Sequence, residues 1–532
     1  LIEKVQHQGQ SRMRQAGHDA SLGFQLAHVG YAWSQRFDGK LAAQAQVLAQ
    51  EDRAHSALAQ KALDLIAPLQ RLTHQIDHVR GISPAPRAPP AKREQGTVRK
   101  LSTWDATAVL MGTIIGSGIF LVPAALARYL PAPGLIVLVW VAGGLLSLLG
   151  ALTFAELAVE RPSAGGQYVY LRDAYGPMWG FLFGWVTFLV IQTGSIAAVS
   201  VGFSQYLAAF IPLPPKIMAL ISIAFLTAVN CRSLGAGSGL QNLFTILKLA
   251  AIGALILVGV KGDWHNLLPL TSNQPDTWAA FGVALVGVLW AYDGWNSLGY
   301  VAEEIADPVQ SLPKALLGGV AAVTIVYALT TLACLMLLGQ HGMATAPDDR
   351  VASLAASQVA GEWGSRLMAA GILVSTFGCL NGMILAGPWV YFAMARDGLF
   401  FRQLAQRHAT RRTPVVSLIC QGVWSALLAL SGRYDQLFTY VIFVSWIFYA
   451  MTAGALFVFR RRHGKPTYQT WGYPVTPALF ITLAVALVAN TLWTQPAPSL
   501  CGLALTLAGL PFYVYFRRTY TSASSSEPSN CD

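Results

Sequence analysis

The chain has 532 residues, of which 54% are hydrophobic and only 11% are charged. Soluble domains carry roughly 25% charged residues, so this composition excludes an ordinary soluble enzyme. The net charge of +11 would suit a nucleic-acid-binding protein, but the basic residues gather in the first hundred positions and in short loops between apolar segments. We therefore expect a protein of the lipid bilayer that binds no nucleic acid.

The first hundred residues differ from the rest in composition. They hold 14 Lys and Arg against 8 Asp and Glu, which gives +6. A heptad-like apolar stripe runs over 58–79, where Pro68 interrupts it. A Pro-rich stretch at 83–90 then predicts an extended linker. We predict that residues 1–95 form an N-terminal extension, helical or disordered, that could include sequence not normally translated.

The residues that commonly hold metals or carry catalysis form no convincing group. His74 and His78 have the spacing of two ligands on one helix face, but the sequence offers no third ligand. The six cysteines have the spacing of neither a disulfide framework nor a zinc site. The apolar part contains no nucleophile–base pair and no phosphate loop. We expect no cofactor, no metal site and no enzymatic activity.

Residues 96–520 are predicted to form one twelve-span helical domain, followed by a disordered tail at 521–532. Each apolar block is long enough to cross a hydrocarbon layer about 30 Å thick. The twelve blocks are 104–129, 133–158, 177–210, 216–233, 240–261, 277–302, 313–339, 363–395, 412–431, 436–459, 474–494 and 498–516.

The basic residues of the loops predict the orientation. Thirteen Lys and Arg fall in loops on one side and six on the other. Because basic loops stay in the cytoplasm, we predict a protein of the cell membrane whose two termini both lie on the cytoplasmic side.

The first apolar block contains three glycines in seven positions, Gly112, Gly116 and Gly118. The spacing of the first two suits the close packing of two membrane helices. Glycine also weakens a helix, and a break in a spanning helix is tolerated only where it lines a cavity or is buried in protein. From this block alone, helix packing and a functional break are equally good interpretations.

The sixth block favours the functional break. It carries a polar, glycine-containing interruption at 290–296, near its middle. Paired interruptions in corresponding segments of two halves are typical of transporter binding sites. The free N–H groups of one half-helix suit a carboxylate, and the free carbonyls of another suit an ammonium group. We therefore predict a site for an α-amino acid.

Four motifs in order carry a resemblance to a known family. They are Gly112-Thr-Ile-Ile-Gly-Ser-Gly-Ile-Phe120, Ser163-Ala-Gly-Gly-Gln-Tyr168, Tyr292-Asp-Gly-Trp-Asn-Ser-Leu-Gly-Tyr-Val-Ala-Glu-Glu304 and Ala393-Met-Ala-Arg-Asp-Gly-Leu399. With them, residues 101–518 resemble the amino acid–polyamine–organocation superfamily, in particular its branch of L-type amino-acid transporters and bacterial amino-acid exchangers. The resemblance implies an all-α membrane protein with the LeuT-type fold, two inverted five-helix repeats plus two helices.

The resemblance also implies which residues contact the substrate. The backbone of Gly116, Ser117 and Gly118 would bind the carboxylate. Trp290 would act as an aromatic lid, and Asn296 matches a polar residue of the pocket. The carbonyls expected near the amino group belong to Ile114, Ile115, Trp290 and Ala291.

Two charged residues inside apolar blocks have competing interpretations. Asp293 could contact the substrate, titrate in proton coupling or cap the second half of the sixth span. If it faces the pocket, it favours a neutral polar or cationic substrate over an acidic one. Lys248 could extend to the cytoplasmic interface. The resemblance instead implies that its ammonium group replaces a sodium ion beside the first span.

Three glutamates and one loop complete the expectations. Glu156, Glu303 and Glu304 lie near cytoplasmic ends of spans, where they could pair with loop arginines as an inner gate or simply face solvent. In the animal light chains that this branch includes, a cysteine between the third and fourth spans bonds to a heavy chain. The corresponding loop, 211–216, has no cysteine, so we expect no disulfide-linked heavy chain.

Together these features predict a secondary active amino-acid transporter. We expect it to move small amino acids by alternating access without sodium, either by exchange or with protons. The alternative is a membrane-embedded amino-acid sensor that signals through the N-terminal segment.

Overall fold

The computed structural model describes residues 101–524, except 208–209, 212, 275–276, 409–412, 432–433 and 495. The described residues are mainly helical, and their one pairing between extended segments is the bridge of Leu101 with Ile305. The predicted apolar stripe, the Pro-rich linker and the pair His74 and His78 lie outside the described residues.

The described helices follow the predicted apolar blocks. In the first half of the chain they are α1 (Thr103–Ile114), α2 (Gly118–Tyr129), α3 (Pro133–Glu160), α4 (Gln167–Tyr175), α5 (Pro177–Val186), α6 (Gln192–Leu207), α7 (Pro215–Arg232), α8 (Leu234–Gly259), α9 (Thr277–Ala291) and α10 (Ser297–Tyr300). In the second half they are α11 (Pro308–Ala344), α12 (Val351–Ala386), α13 (Pro388–Arg396), α14 (Val415–Ser431), α15 (Tyr434–His463), α16 (Val475–Thr494), α17 (Pro496–Leu507) and α18 (Gly509–Ser524).

Local sequence explains where several helices begin. Proline occupies the first turn of α3, α5, α7, α11 and α13, where its missing N–H has no helical partner to lose. The Ser102 side chain accepts from the backbone of Asp105, and the Asp105 carboxylate accepts from the backbone of Ser102, so α1 opens with a capping box.

The described helices make this a multi-pass membrane protein. Among the described residues, nine helical segments are long and apolar enough to cross a bilayer, and the bent pair α1–α2 makes a tenth. Two further helices, α9 and α14, are apolar but shorter. Twelve blocks were predicted, and the difference arises because α9 stops at an interruption after 15 residues and α14 has only 17.

Both predicted interruptions are present. The axes of α1 and α2 differ in direction by 41°, and three non-helical residues separate these helices. Helix α9 ends at Ala291, and α10 begins at Ser297.

Other boundaries differ from the prediction. The helix of the eighth block begins at Val351 and bends at Gly361, where φ is 58°. That helix ends before Pro388, which has no N–H to continue it. The last helix runs to Ser524, four residues into the predicted tail.

Small residues let α3 approach its neighbours. A Cβ atom added to Gly144 would lie 2.3 Å from Cγ2 of Thr324 in α11. On the same side of α3, the Trp140 ring lies 5.1 Å from that of Tyr327 and 5.9 Å from that of Tyr292, centroid to centroid. Backbones and aromatic rings thus pack closely beside both interruptions, as is usual for membrane helices.

We expect Gly144→Ala to lower the apparent unfolding temperature of the purified protein in detergent. The added methyl overpacks the contact with Thr324, and overpacking costs about 1–3 kcal/mol. Gly318→Ala in α11 is the matched control, because its new methyl meets no atom within 4 Å. Alanine is favoured over glycine in a helix by about 1 kcal/mol, so the control should unfold at the same or a higher temperature. Equal behaviour of both variants would contradict this packing.

Candidate functional site

The interruption of the first span packs against that of the sixth. A Cβ atom on Gly118 would lie 2.7 Å from the Cβ of Ala291, and one on Gly116 would lie 2.9 Å from Sγ of Cys379. Gly294 has a φ of 111°, and a Cβ atom added to it would lie 3.4 Å from atoms of Thr113. The close approach of Gly118 to Ala291 and the positive φ of Gly294 both favour glycine, so these two glycines allow the breaks to meet. Gly116 makes room for Cys379 of α12.

A buried ammonium group holds the end of α1. Lys248 of α8 is completely buried, and its Nζ donates to the carbonyl of Gly112 at 3.0 Å and to that of Ile115 at 2.6 Å. Ser375 of α12 also donates to the carbonyl of Ile115, at 3.2 Å. These donors satisfy carbonyls that have lost their helical partners at the break.

Two more side chains reach the carbonyls between these positions. Sγ of Cys379 donates to the carbonyl of Thr113 at 3.1 Å. The Tyr327 hydroxyl lies 3.0 Å from the carbonyl oxygen of Ile114 and 3.1 Å from that of Ala291. Since a hydroxyl has one proton, it donates to one of these carbonyls at a time. Tyr327 therefore links the first break to the second.

A cavity lies between the two breaks. Its lining residues are Thr113, Ile114, Gly116, Ser117, Gly118, Gly194, Ser195, Ala198, Val199, Trp290, Ala291, Asp293, Cys379, Met383 and Val441. They include seven of the nine residues predicted to contact substrate. The N-terminal turn of α2 and the C-terminal turn of α9 both open onto this cavity, which gives it free N–H donors and carbonyl acceptors.

Among the described residues of this lining, Asp293 is the one that carries a carboxylate. Its Oδ1 accepts from the Tyr449 hydroxyl of α15 at 2.6 Å, and the carboxylate also accepts from the backbone N–H of Gly294. The N-cap position of α10 is held by Asn296. The bonds of Asp293 thus tie the second break to α15 and leave the carboxylate at the cavity wall.

The structure puts the two other predicted residues outside the cavity lining. The carbonyl of Ile115 already accepts from Lys248 and Ser375. The Asn296 side chain is buried and donates to Oε1 of Gln167 and to the Tyr300 hydroxyl, both at 2.8 Å. Asn296 therefore links the sixth span to α4, and its role toward a substrate stays a prediction.

One predicted gate residue is buried and paired. Glu156 of α3 accepts two hydrogen bonds from the Arg460 guanidinium, at 2.7 and 2.8 Å, and one from the Thr470 backbone at 2.6 Å. The guanidinium carbon lies 3.7 Å from the centre of the Tyr473 ring. The charge of Glu156 is thereby matched and hydrogen-bonded, as burial requires.

The other two gate residues share arginines. Glu303 pairs with Arg396 and with Arg407, each at 3.2 Å, and accepts from the backbone of Ala164 at 3.1 Å. Glu304 also pairs with Arg407, at 3.1 Å. Burial alone would raise the pKa of the Glu303 carboxyl, but the charges of Arg396 and Arg407 outweigh it and hold that pKa below its usual range.

Several contacts at the site were not predicted from the sequence, namely those of Tyr327, Ser375, Cys379, Tyr449 and Gln167. Polar atoms within apolar blocks were the available signal, but nothing in the sequence showed which way they face. Among the described residues, no three His, Cys, Asp or Glu side chains are placed to hold a metal ion.

Comparison with known proteins gives the family of this chain. Residues 101–508 match the amino acid permease family. The serine/threonine exchanger SteT of Bacillus subtilis is 34% identical over 439 residues, covering 81% of this chain and 99% of that protein. The large neutral amino acids transporter small subunit 2 of Homo sapiens is 32% identical over 451 residues, 81% of each chain. The human b(0,+)-type amino acid transporter 1 is 31% identical over 452 residues, 82% of this chain and 90% of that protein.

These relatives bear on two expectations. They are named as transporters or exchangers, which confirms that the chain is not an enzyme. One is named a small subunit, so the expectation that this chain has no heavy-chain partner gains no support. Since the match spans most of the chain and includes the paired breaks, the chain belongs to the amino acid permease family.

Proposed function

We propose that this protein is a secondary transporter that moves small amino acids across the cell membrane by alternating access, without sodium. The observation that carries the proposal is the cavity between the two breaks, which residues of both breaks line. The named activities of the relatives, serine/threonine exchange among them, point the same way. Exchange is favoured over proton symport, because the bacterial relative reported above is named an exchanger.

We assign the carboxylate of the substrate to the start of α2. The first N–H groups of a helix have no helical acceptor and carry a partial positive charge. Ser117 and Gly118 lie at this start and line the cavity. The N–H of Gly116 already donates to the carbonyl of Ile114 at 2.8 Å. The main contribution of Gly116 is therefore that its lack of a side chain leaves room for Cys379.

We assign the amino group to carbonyls at the opposite wall. Ile114, Trp290 and Ala291 line the cavity, and the negative end of the α9 dipole lies at the last two. Ile115 is the weaker candidate, because Lys248 and Ser375 already use both of its acceptor positions. Tyr327 lies behind this wall and has one proton for the carbonyls of Ile114 and Ala291. Each carbonyl oxygen has two acceptor positions, and that of Ile114 also accepts from the N–H of Gly116, so the pair still has positions left for an ammonium donor.

We further propose twelve spans arranged as two inverted five-helix repeats plus two helices. Counting α9 with its continuation α10, and counting α14, brings the ten segments to twelve. Breaks in the first and sixth spans would then occupy corresponding positions of the two repeats, as is typical of this transporter architecture. In this topology both termini are cytoplasmic, and residues 1–95 precede the transporter domain.

The cytoplasmic ends of the spans supply an inner gate in this proposal. Glu156 joins α3 to α15 through Arg460. Glu303 and Glu304 join the end of the sixth span to Arg407 and Arg396. Access from the cytoplasm would require these pairs to separate. Because several charges share partners, the pairs form a network, which contributes more than isolated surface pairs do.

We propose that the transporter works without a disulfide-linked heavy chain. The loop 211–216 contains no cysteine in the sequence. The protein purified alone and reconstituted into liposomes is therefore the form in which activity should be measured.

Proteoliposomes test the proposed function directly. We expect uptake of radiolabelled serine or alanine to require either trapped internal amino acid or an inward proton gradient. Replacing external sodium with choline should leave the rate unchanged. Protein-free liposomes are the control. Uptake that depends on a sodium gradient and ignores both internal amino acid and protons would refute the proposal.

Lys248→Met should reduce exchange by about 5–150-fold. Losing the ammonium group leaves the buried carbonyl of Gly112 without a side-chain donor and that of Ile115 with only Ser375, at a cost of about 1–3 kcal/mol, where 1.4 kcal/mol is tenfold. The control is Lys314→Met, because Lys314 is exposed and bonds only weakly, to Gln310 at 3.3 Å. Normal exchange by the Lys248 variant would contradict the bracing role. If that variant is unstable, substrate-induced thermal stabilisation can be compared instead.

Asp293→Asn tests the substrate class. The amide keeps the shape and still accepts from Tyr449, but it removes the charge at the cavity wall. We expect the transport of arginine or lysine to fall at least about tenfold relative to alanine, since unpairing a desolvated charge is costly. Tyr449→Phe, which leaves the charge in place, is the control. An unchanged ratio in the Asn variant would show that Asp293 has a structural role.

A further inference from the structure

The third predicted span departs from regular α-helical geometry just before it reaches the cavity. Helix α5 ends at Val186, a π-helical turn covers Thr187–Ile191, and α6 follows. The N–H of Gln192 donates to the carbonyl of Thr187, five residues back instead of four. Such a turn holds one extra residue, and turns of this kind are frequent at functional sites.

This turn decides which residues of α6 reach the cavity. Gly194, Ser195, Ala198 and Val199 line it from α6, and the first of them comes three residues after the turn ends. In a helix, one residue corresponds to a rotation of about 100° and a rise of 1.5 Å. The extra residue therefore sets the face of α6 that meets a bound solute.

Side chains hold the carbonyls of the turn and its end. Thr193 Oγ1 donates to the carbonyl of Phe188 at 2.7 Å, and Ser195 Oγ donates to that of Ile191 at 2.6 Å. Trp424 Nε1 donates to the carbonyl of Leu189 at 3.0 Å. Of these three donors, only Trp424 comes from another helix, α14. Its bond fixes the turn relative to the surrounding bundle.

A second bond ties the same segment to the opposite wall. Nε2 of Gln192 donates to the carbonyl of Met383 in α12 at 2.8 Å. Met383 itself lines the cavity. This bond fixes the position of α6 relative to α12. The two helices form walls of the cavity on either side of the space that the two breaks leave for the side chain of a solute.

We propose that Trp424 is a positioning residue that determines which amino-acid side chains the transporter accepts. Trp424 is not among the residues that line the cavity, so it acts through the π-helical turn. By holding the carbonyl of Leu189, it keeps Gly194 and Ser195 at the wall that faces the substrate side chain. The inference rests on the proposed function and names a determinant of its specificity.

Trp424→Phe tests this inference, because it keeps an aromatic ring and removes the donor. The matched control is Trp185→Phe. Trp185 lies in α5 of the same predicted span and donates to the carbonyl of Leu505 at 3.3 Å, and it does not line the cavity. The measurement is the ratio of Vmax/KM for leucine to that for alanine in proteoliposomes.

We expect Trp424→Phe to shift the leucine-to-alanine ratio by about tenfold. This is the lower end of the discrimination that one methylene group gives in an apolar pocket. Trp185→Phe should leave that ratio as in the wild type. An unchanged ratio in Trp424→Phe, or an equal shift in both variants, would overturn the inference. If Trp424→Phe does not fold, the same ratio is measured for Thr193→Val, which removes the bond to the Phe188 carbonyl of the turn at constant shape. An unchanged ratio in that variant would overturn the inference. A wild type without amino-acid flux would instead overturn the proposed function.

Discussion

A helix interrupted inside a bilayer must find donors for the carbonyls that it frees, and Lys248 meets this requirement here. Its ammonium group reaches the carbonyls of Gly112 and Ile115, at either end of the last turn of α1. Cys379 and Tyr327 reach the two carbonyls between them. Four consecutive carbonyls therefore lie within hydrogen-bond distance of side chains from three other helices. Without these donors the cavity would have no stable wall on this side.

The rest of the site follows from joining two such breaks. Glycines let the breaks touch, and the Tyr327 hydroxyl bridges them. Helix ends of opposite polarity then face one cavity, which is a physical basis for holding a solute with both a carboxylate and an ammonium group. Glu156 lies near the C-terminal end of α3, and Glu303 follows α10, so in the proposed mechanism a movement of these spans would separate their charge pairs.

The sequence predicted the breaks more accurately than it predicted the contacts around them. Both interruptions could be predicted from the sequence, because glycine and polar residues within apolar blocks are rare and costly. The resemblance to the permeases pointed to Lys248, and the ammonium group does reach the carbonyls of the first break. The contacts of Asn296 could not be predicted from the sequence. This residue matched a pocket position but bonds to Gln167 and Tyr300, because its direction depends on how α10 packs against α4.

Composition and hydropathy by themselves determined that this is a multi-pass helical membrane protein, because 54% hydrophobic and 11% charged residues can be accommodated only in lipid. The glycine and polar motifs determined where the spanning helices break. Tertiary structure alone decided which donors satisfy the broken backbone and that Tyr449 holds Asp293. It also decided that a π-helical turn sets the face of α6 at the cavity. These features depend on side-chain directions across helices far apart in sequence, and hydrophobic patterns carry no information about those directions.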